Sequence, residues 1–226
     1  MFWNICRGFR NEDRQVDPRK VAIAADFVRS EDPDVLVLNE ADYLADYHES
    51  AFDYRGTFAF DHVHGHQYAA HMGNCILSRH PLIDPRVHVA GGRSGLACGI
   101  GANGGVLNIA TFHAHPHTSS AAKADAIVAT AHLRPGPCIM AGDFNAISPD
   151  DGLTVAGLEF RLRPIAKDKS VSMATRLLGD GEVIFAALRR SGFHDLVLGS
   201  ERRHTMPSRL PDGDRQTQVR IDVSIR

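Results

Sequence analysis

Short apolar runs, separated by polar segments bearing glycine and proline, set the rhythm of this chain. Val35-Leu36-Val37-Leu38 is an unbroken apolar run of the length expected for a buried strand. Comparable runs predict strands over Asn74 to Ser78, Leu96 to Gly101, Val106 to Phe112 and Cys138 to Ala141. Weaker patterns add Phe2 to Cys6, Thr57 to Phe60, Arg86 to Ala90 and Val219 to Val223. Helical spacing looks different. After Asp17-Pro18, an N-cap with proline at the first helical position, Val21, Ala24, Ala25 and Val28 recur on one face as far as Ser30. Alanine-rich Ser119 to His132 predicts a second helix, and Val183 to Ser191, closed by Gly192, a third. Several strands follow one another without a helix between them, so part of the sheet structure is expected to be antiparallel. The mixture is that of an α/β protein.

Composition narrows the class. The 226 residues carry no repeat, low-complexity block or linker, so the whole span 1–226 reads as one domain with room for a full core. Lys and Arg total 25 against 27 Asp and Glu, so no strong overall field draws the molecule to nucleic acid or anionic membrane. Cys6, Cys75, Cys98 and Cys138 lie far apart, which argues against a disulfide scaffold or a cysteine zinc site and fits a reducing compartment. No apolar h-region follows Met1, and no run approaches the ~20 residues of a membrane span. A soluble, cytoplasmic protein is the expectation.

Polar residues gather where apolar strands end. Glu40 follows Val-Leu-Val-Leu-Asn, and Gly142-Asp143-Phe144-Asn145 follows Ile139-Met140-Ala141. Glycine permits close backbone approach before the Asp-x-Asn pair, whose side chains share a face if the backbone stays extended. Carboxylates and amides of this kind suit a hard, oxygen-seeking cation such as Mg²⁺. Taken singly, each is also an ordinary turn or cap residue.

Taken together they match a known set. Asn4 in Phe-Trp-Asn-Ile comes first, then Glu40, then Asn74 in Gly-Asn-Cys-Ile-Leu-Ser-Arg-His-Pro-Leu. His113 in Ala-Thr-Phe-His, Gly142-Asp143-Phe144-Asn145 and Arg220-Ile221-Asp222 follow, with Thr205-x-Pro207 before the last strand. In these motifs and their order, from Phe2 to Ile225, the sequence resembles the endonuclease/exonuclease/phosphatase superfamily of Mg²⁺-dependent phosphoester hydrolases. The resemblance implies a four-layer α/β/β/α sandwich of two packed mixed sheets, with the site at one edge. It implies Mg²⁺, with Mn²⁺ as a substitute, held by Glu40 with Asn4 beside it. Asp143 would orient and deprotonate the attacking water, Asn145 would hold a phosphate oxygen through its amide, as would His113 if charged, Asn74 would contribute to substrate binding, and Asp222 would orient a catalytic histidine. The substrate would be a phosphoester, either nucleic acid or a small phosphorylated molecule; no protein partner is implied. These types act well together, because water attack on an anionic ester needs a cation, aimed donors and a base.

One departure and two rivals stand beside this reading. Family members close with an Asp-His element after the strand matching Arg220 to Ile225, whereas Val223-Ser224-Ile225-Arg226 holds no histidine, so a domain shortened at this end is expected. Thirteen histidines include the alternating sets His62, His64, His66 (with His71 nearby) and His113, His115, His117, which would also suit a histidine-ligated zinc or manganese hydrolase. A non-catalytic phosphoester-binding member of the same fold is the other alternative. Arg161, Arg163, Lys167 and Lys169 form a basic stretch, as do Arg202, Arg203 and His204; a solvated face explains either as readily as a phosphate track.

Overall fold

The computed structural model describes residues 1–10, 15–42, 53–69, 72–102, 104–195 and 223–225. Among these described residues ten strands form two sheets. The first has the order β1-β2-β4-β3, built from β1 (Phe2–Asn4), β2 (Val35–Ala41), β3 (His62–Ala69) and β4 (Met72–Ser78). The second runs β5-β6-β7-β8-β10-β9: β5 (Leu82–Ala90), β6 (Arg93–Ala102), β7 (Gly105–Phe112), β8 (Cys138–Ala141), β9 (His194–Asp195) and β10 (Val223–Ile225). Both are mixed. β1 lies parallel to β2 and β7 to β8, and the remaining pairs are antiparallel.

Alternation along each strand makes the layers. Val37 and Ile76 of the first sheet meet Leu96, Cys98, Ile100 and Ile109 of the second, forming the core between sheets. The intervening residues Leu36, Leu38, Cys75 and Leu77 point the other way, onto α1 (Pro18–Glu31) and α2 (Tyr54–Phe58). Across the second sheet, Ala97, Ala110, Phe112 and Met140 pack on α3 (Ser120–Ala131) and α5 (Ser170–Arg190), while α4 (Val155–Ala166) adds a satellite core with α5. Helix, sheet, sheet, helix is the expected four-layer sandwich. None of the four cysteines forms a disulfide, and among the described residues no helix is long and apolar enough to cross a membrane.

Helix ends follow the sequence signals. Asp17 accepts from the Arg19 N–H at 3.0 Å before Pro18, and Ser119 accepts from Ala122 at 3.3 Å. α3 and α5 are joined by a buried ion pair, Lys123 Nζ to Asp180 at 2.6 Å, with Ser120 donating to the other carboxylate oxygen. Arg176 on α5 donates to the Pro116 carbonyl at 2.8 Å, so the same helix pair also tethers the segment that follows His113.

Two local expectations are corrected. Thr57 to Phe60 is not a strand: Asp53 caps the short helix α2, and its Tyr54 and Phe58 rings stack on one face in the core. The helix expected from Val183 begins at Ser170, because Gly179 and Gly181 do not interrupt it. Gly181 is where α5 crosses the backbone at Ile147; a Cβ there would collide with the Ile147 carbonyl oxygen. The final strand is described only over Val223–Ile225, and the basic set Arg202, Arg203 and His204 lies outside the described residues.

Packing and burial can each be tested. Gly181→Ala should lower the unfolding free energy by about 1–2 kcal/mol in urea titration, since overpacking of ~1–3 kcal/mol exceeds the ~1 kcal/mol that alanine adds to a helix. Gly179→Ala, with open space around it, should instead stabilise by up to ~1 kcal/mol. His64 reaches across the sheets to the Arg86 carbonyl (3.1 Å), and burial holds its pKa below the ordinary value. Unfolded chain takes up this proton as pH falls through about 6.5 while folded chain resists, so stability is unaffected above that pH and declines below it. His64→Gln should flatten the decline between about pH 7 and 5, read as urea midpoints across pH.

Candidate active site

Glu40 and Asp143 come from different sheets and meet at one point. Both β2 and β8 run out at the same edge of the sandwich, and the side-chain amide of Asn4, at the end of β1, sits between the carboxylates they deliver. Its Nδ2 donates to Asp143 Oδ2 at 2.7 Å and to Glu40 Oε1 at 3.3 Å, while its Oδ1 accepts from the Cys6 N–H. His113, directly after β7, places Nε2 3.8 Å from Asp143 and 4.0 Å from Glu40.

Backbone strain aims these groups. Glu40 sits in a bulge of β2, at φ 54°, where the pairing with β4 shifts register between Asn39 and Ala41. A bulge turns a side chain out of the strand's alternation, and here it turns the carboxylate to the sheet edge. Opposite it, Cys6, Arg7, Gly8 and Phe9 all have positive φ (48°, 59°, 66° and 63°), one turn of left-handed helix. Non-glycine residues hold that conformation at a cost of ~1–2 kcal/mol each. Glu40 helps to hold it: the Arg7 N–H donates to Oε2 at 3.1 Å and the Gly8 N–H to the Glu40 carbonyl at 2.8 Å. Arg10, past the turn, is paired with the buried Asp42.

Asp143 is fixed from behind. Its N–H donates to Asn39 Oδ1 at 2.7 Å, and the Asn39 amide nitrogen donates to Asn74 Oδ1 (2.7 Å) and Thr111 Oγ1 (3.0 Å). Asn39, Asn74 and Thr111 are fully buried. This places Asn74 differently from expectation. Its side chain has no solvent-accessible face and is engaged with Asn39 and the Ser94 carbonyl, so it buttresses the floor of the cleft rather than meeting a substrate. Gly142, as expected, permits close approach: a Cβ there would strike the Phe112 carbonyl.

Asp143 and Asn145 do not share an extended strand. Asn145 is left-handed (φ 48°), its N–H donates to Asp143 Oδ1 at 2.9 Å, and its amide donates to the Ala114 carbonyl at 2.8 Å. The tight turn keeps Asn145 beside the cleft by a different route. Asp222 lies outside the described residues; its neighbour Val223 pairs with Ala141 at the same end of β8.

His113 is buried, which pushes its pKa down against the opposing pull of Asp143. Tyr68 Oη lies 2.8 Å from His113 Nδ1, and burial pushes the phenol's pKa up, so Tyr68 keeps its proton. With that proton donated to Nδ1, a neutral imidazole carries its own on Nε2, facing the carboxylates. Neither Asn39 nor Tyr68 belongs to the residues expected at the site. Asn39 had a signal: at period two it shares the inward face with Val35 and Val37, where a polar side chain must find partners. Tyr68 had none, because its strand reads His-Val-His-Gly-His-Gln-Tyr-Ala.

The donor set fits a small hard cation. The two carboxylates supply oxygen, and Mg²⁺ characteristically takes one or two carboxylates and keeps its waters. Among the described residues no group of three or more His, Cys, Asp or Glu is arranged to hold a metal ion. Two of the alternating histidines have other partners: His64 Nε2 meets the Arg86 carbonyl, and His115 Nδ1 accepts from the His117 N–H at 3.1 Å. In the basic stretch, Arg163 pairs with Glu159 on α4. Asn39→Leu should destabilise the fold by at least ~2 kcal/mol in urea titration, since several buried polar groups lose partners at ~1–3 kcal/mol each.

Solved structures share this architecture. An AP endonuclease from Archaeoglobus fulgidus superposes with a TM-score of 0.66 at 14% identity, over 99% of this chain and 84% of that one. A 3′-5′ exonuclease from Neisseria meningitidis gives 0.65 at 14% identity, with the same 99% and 84% coverage. The D. rerio TDP2 complex with single-strand DNA product gives 0.56 at 14%, covering 99% and 81%. No curated protein matches the sequence. The profile of the Endonuclease/Exonuclease/phosphatase family matches residues 1–211, and with that match across most of its length the chain belongs to this family.

Proposed function

We propose that the chain is a Mg²⁺-dependent hydrolase that cleaves a phosphoester by in-line attack of water. The observation that carries this reading is the Asn4 amide held between the Glu40 and Asp143 carboxylates, 3.3 and 2.7 Å away, with His113 beside them. Two carboxylates from separate sheets repel one another, and a single neutral amide only partly offsets that, so the pair is built for a cation. Glu40, with Asn4, would hold Mg²⁺ (or Mn²⁺ in its place), which when bound polarises a phosphoryl oxygen and lowers the pKa of bound water.

The chain's own residues supply the rest. Asp143, oriented by Asn39 and Asn4, receives the proton of the attacking water. His113 donates from Nε2 toward the phosphoryl oxygens while Tyr68 fixes its ring. Asn145, locked against Ala114, offers its remaining amide N–H to the same oxygens. Neutral donors suit this position, because they stabilise developing negative charge without competing with the carboxylates for the cation. Asp222 keeps its proposed orienting role from the sequence. The AP endonuclease, the 3′-5′ exonuclease and the DNA-product complex among the similar structures direct the first assays to nucleic acid, with small phosphorylated molecules next.

Single- and double-stranded DNA, RNA and bis-p-nitrophenyl phosphate assayed side by side with Mg²⁺, Mn²⁺ and EDTA test the reading. Hydrolysis in Mg²⁺ that EDTA abolishes is expected; hydrolysis that survives EDTA overturns the metal assignment. Asp143→Asn should lower kcat by ~10²–10⁴-fold with an unchanged circular dichroism spectrum. Glu40→Gln should raise the Mg²⁺ concentration needed for half-maximal rate.

A further inference from the structure

Arg93, at the start of β6, lies beside the cleft and has no part in the arrangement described so far. It is only 7% exposed. Its guanidinium stacks over the Tyr68 ring, 4.8 Å from the centroid, and Nη1 approaches Met72 Sδ at 4.0 Å. Among the described residues no carboxylate pairs with it. Comparably enclosed cations in this protein are neutralised: Arg10 by Asp42, Lys123 by Asp180 and Arg134 by Asp84. A desolvated guanidinium with no counter-ion is unfavourable, and stacking on an aromatic ring compensates only part of that.

The location says what could complete it. Tyr68, under the guanidinium, is also the residue bonded to His113, and the Arg93 charge is felt at both His113 and His115. Arg93 bridges from the second sheet to the β3–β4 hairpin of the first, next to the reacting centre but without an ion pair to Glu40 or Asp143. From the carboxylates the contacts run through His113 and Tyr68 to Arg93, so an anion meeting it is offset from the group under attack. A guanidinium carries five N–H donors in a planar fork that matches the paired oxygens of a phosphate.

We propose that Arg93, seated on Tyr68, binds a second phosphate of the substrate, so that the site selects phosphoesters bearing a terminal phosphate near the bond that is cut. The inference rests on the hydrolase reading above and deepens it to a substrate class.

Two measurements on the full chain separate the claims. In EDTA, inorganic phosphate should bind the unaltered protein, about tenfold more weakly to Arg93→Gln, and with intermediate strength to Arg93→Lys. With Mg²⁺, the thymidine dinucleotide dTpdT is compared with its 5′-phosphorylated and 3′-phosphorylated forms. One phosphorylated form should show kcat/KM about tenfold above dTpdT, and Arg93→Gln should erase that ratio. Equal phosphate binding by the unaltered protein and Arg93→Gln overturns the proposal, as does equal kcat/KM on all three dinucleotides. Arg93-dependent phosphate binding without any hydrolysis leaves the anion site standing and removes the hydrolase reading. If Arg93→Gln does not fold, the arginine Nε–H resonances of the unaltered protein decide during a phosphate titration: a buried arginine signal that shifts supports the site, and one that stays fixed overturns it.

Discussion

The buried side chain of Asn39 is the interaction on which the cleft depends. It leaves β2 on the inward face, crosses between the sheets, and there meets Asn74, Thr111 and the backbone N–H of Asp143. Apolar contacts between sheets tolerate sliding, since one aliphatic side chain packs on another at many offsets. Hydrogen bonds in a dry interior do not, because an unmet donor or acceptor there is penalised directly. Asn39 thus converts loose sheet-on-sheet packing into one register, and that register is what sets the Asp143 carboxylate opposite Asn4 and Glu40.

Around that fixed floor the geometry is strained on one side and relaxed on the other. The Asp143 side is held by ordinary hydrogen bonds, whereas the Glu40 side combines a bulge with a left-handed turn of three non-glycine residues. Strain of this sort persists only where neighbouring structure over-determines it. The Arg7 and Gly8 N–H groups binding Glu40, and the Arg10–Asp42 pair beyond, supply that determination. Carboxylate and turn therefore hold each other in place, and disturbing either one disturbs both.

Most of the sandwich could be read from sequence because its core strands are apolar runs with little else to be. Glu40 and Asp143 stood out as charges at the ends of such runs, and the order of motifs around them supplied their relation. What escaped had a physical reason. Gly179 and Gly181 look like a helix break until the Ile147 backbone is seen to need the space at Gly181. Thr57 to Phe60 carries strand-forming residues, yet the Asp53 cap and the Tyr54–Phe58 spacing win. Tyr68 and Arg93 arrive from polar stretches whose meeting depends on tertiary structure alone. Asn74 was found as a motif residue, but only its burial reveals that it supports the floor.

The bond between Asn4 and Asp143 joins residues 139 apart, and no local piece of the chain contains both ends of it. During synthesis the first sheet's contribution is complete long before β8 exists, so a nascent chain carries a lone, uncompensated Glu40 turn. Contacts of such long sequence separation form late and slowly. Competence to bind would then arrive in a single step with closure of the second sheet, which makes the cleft a reporter of complete folding.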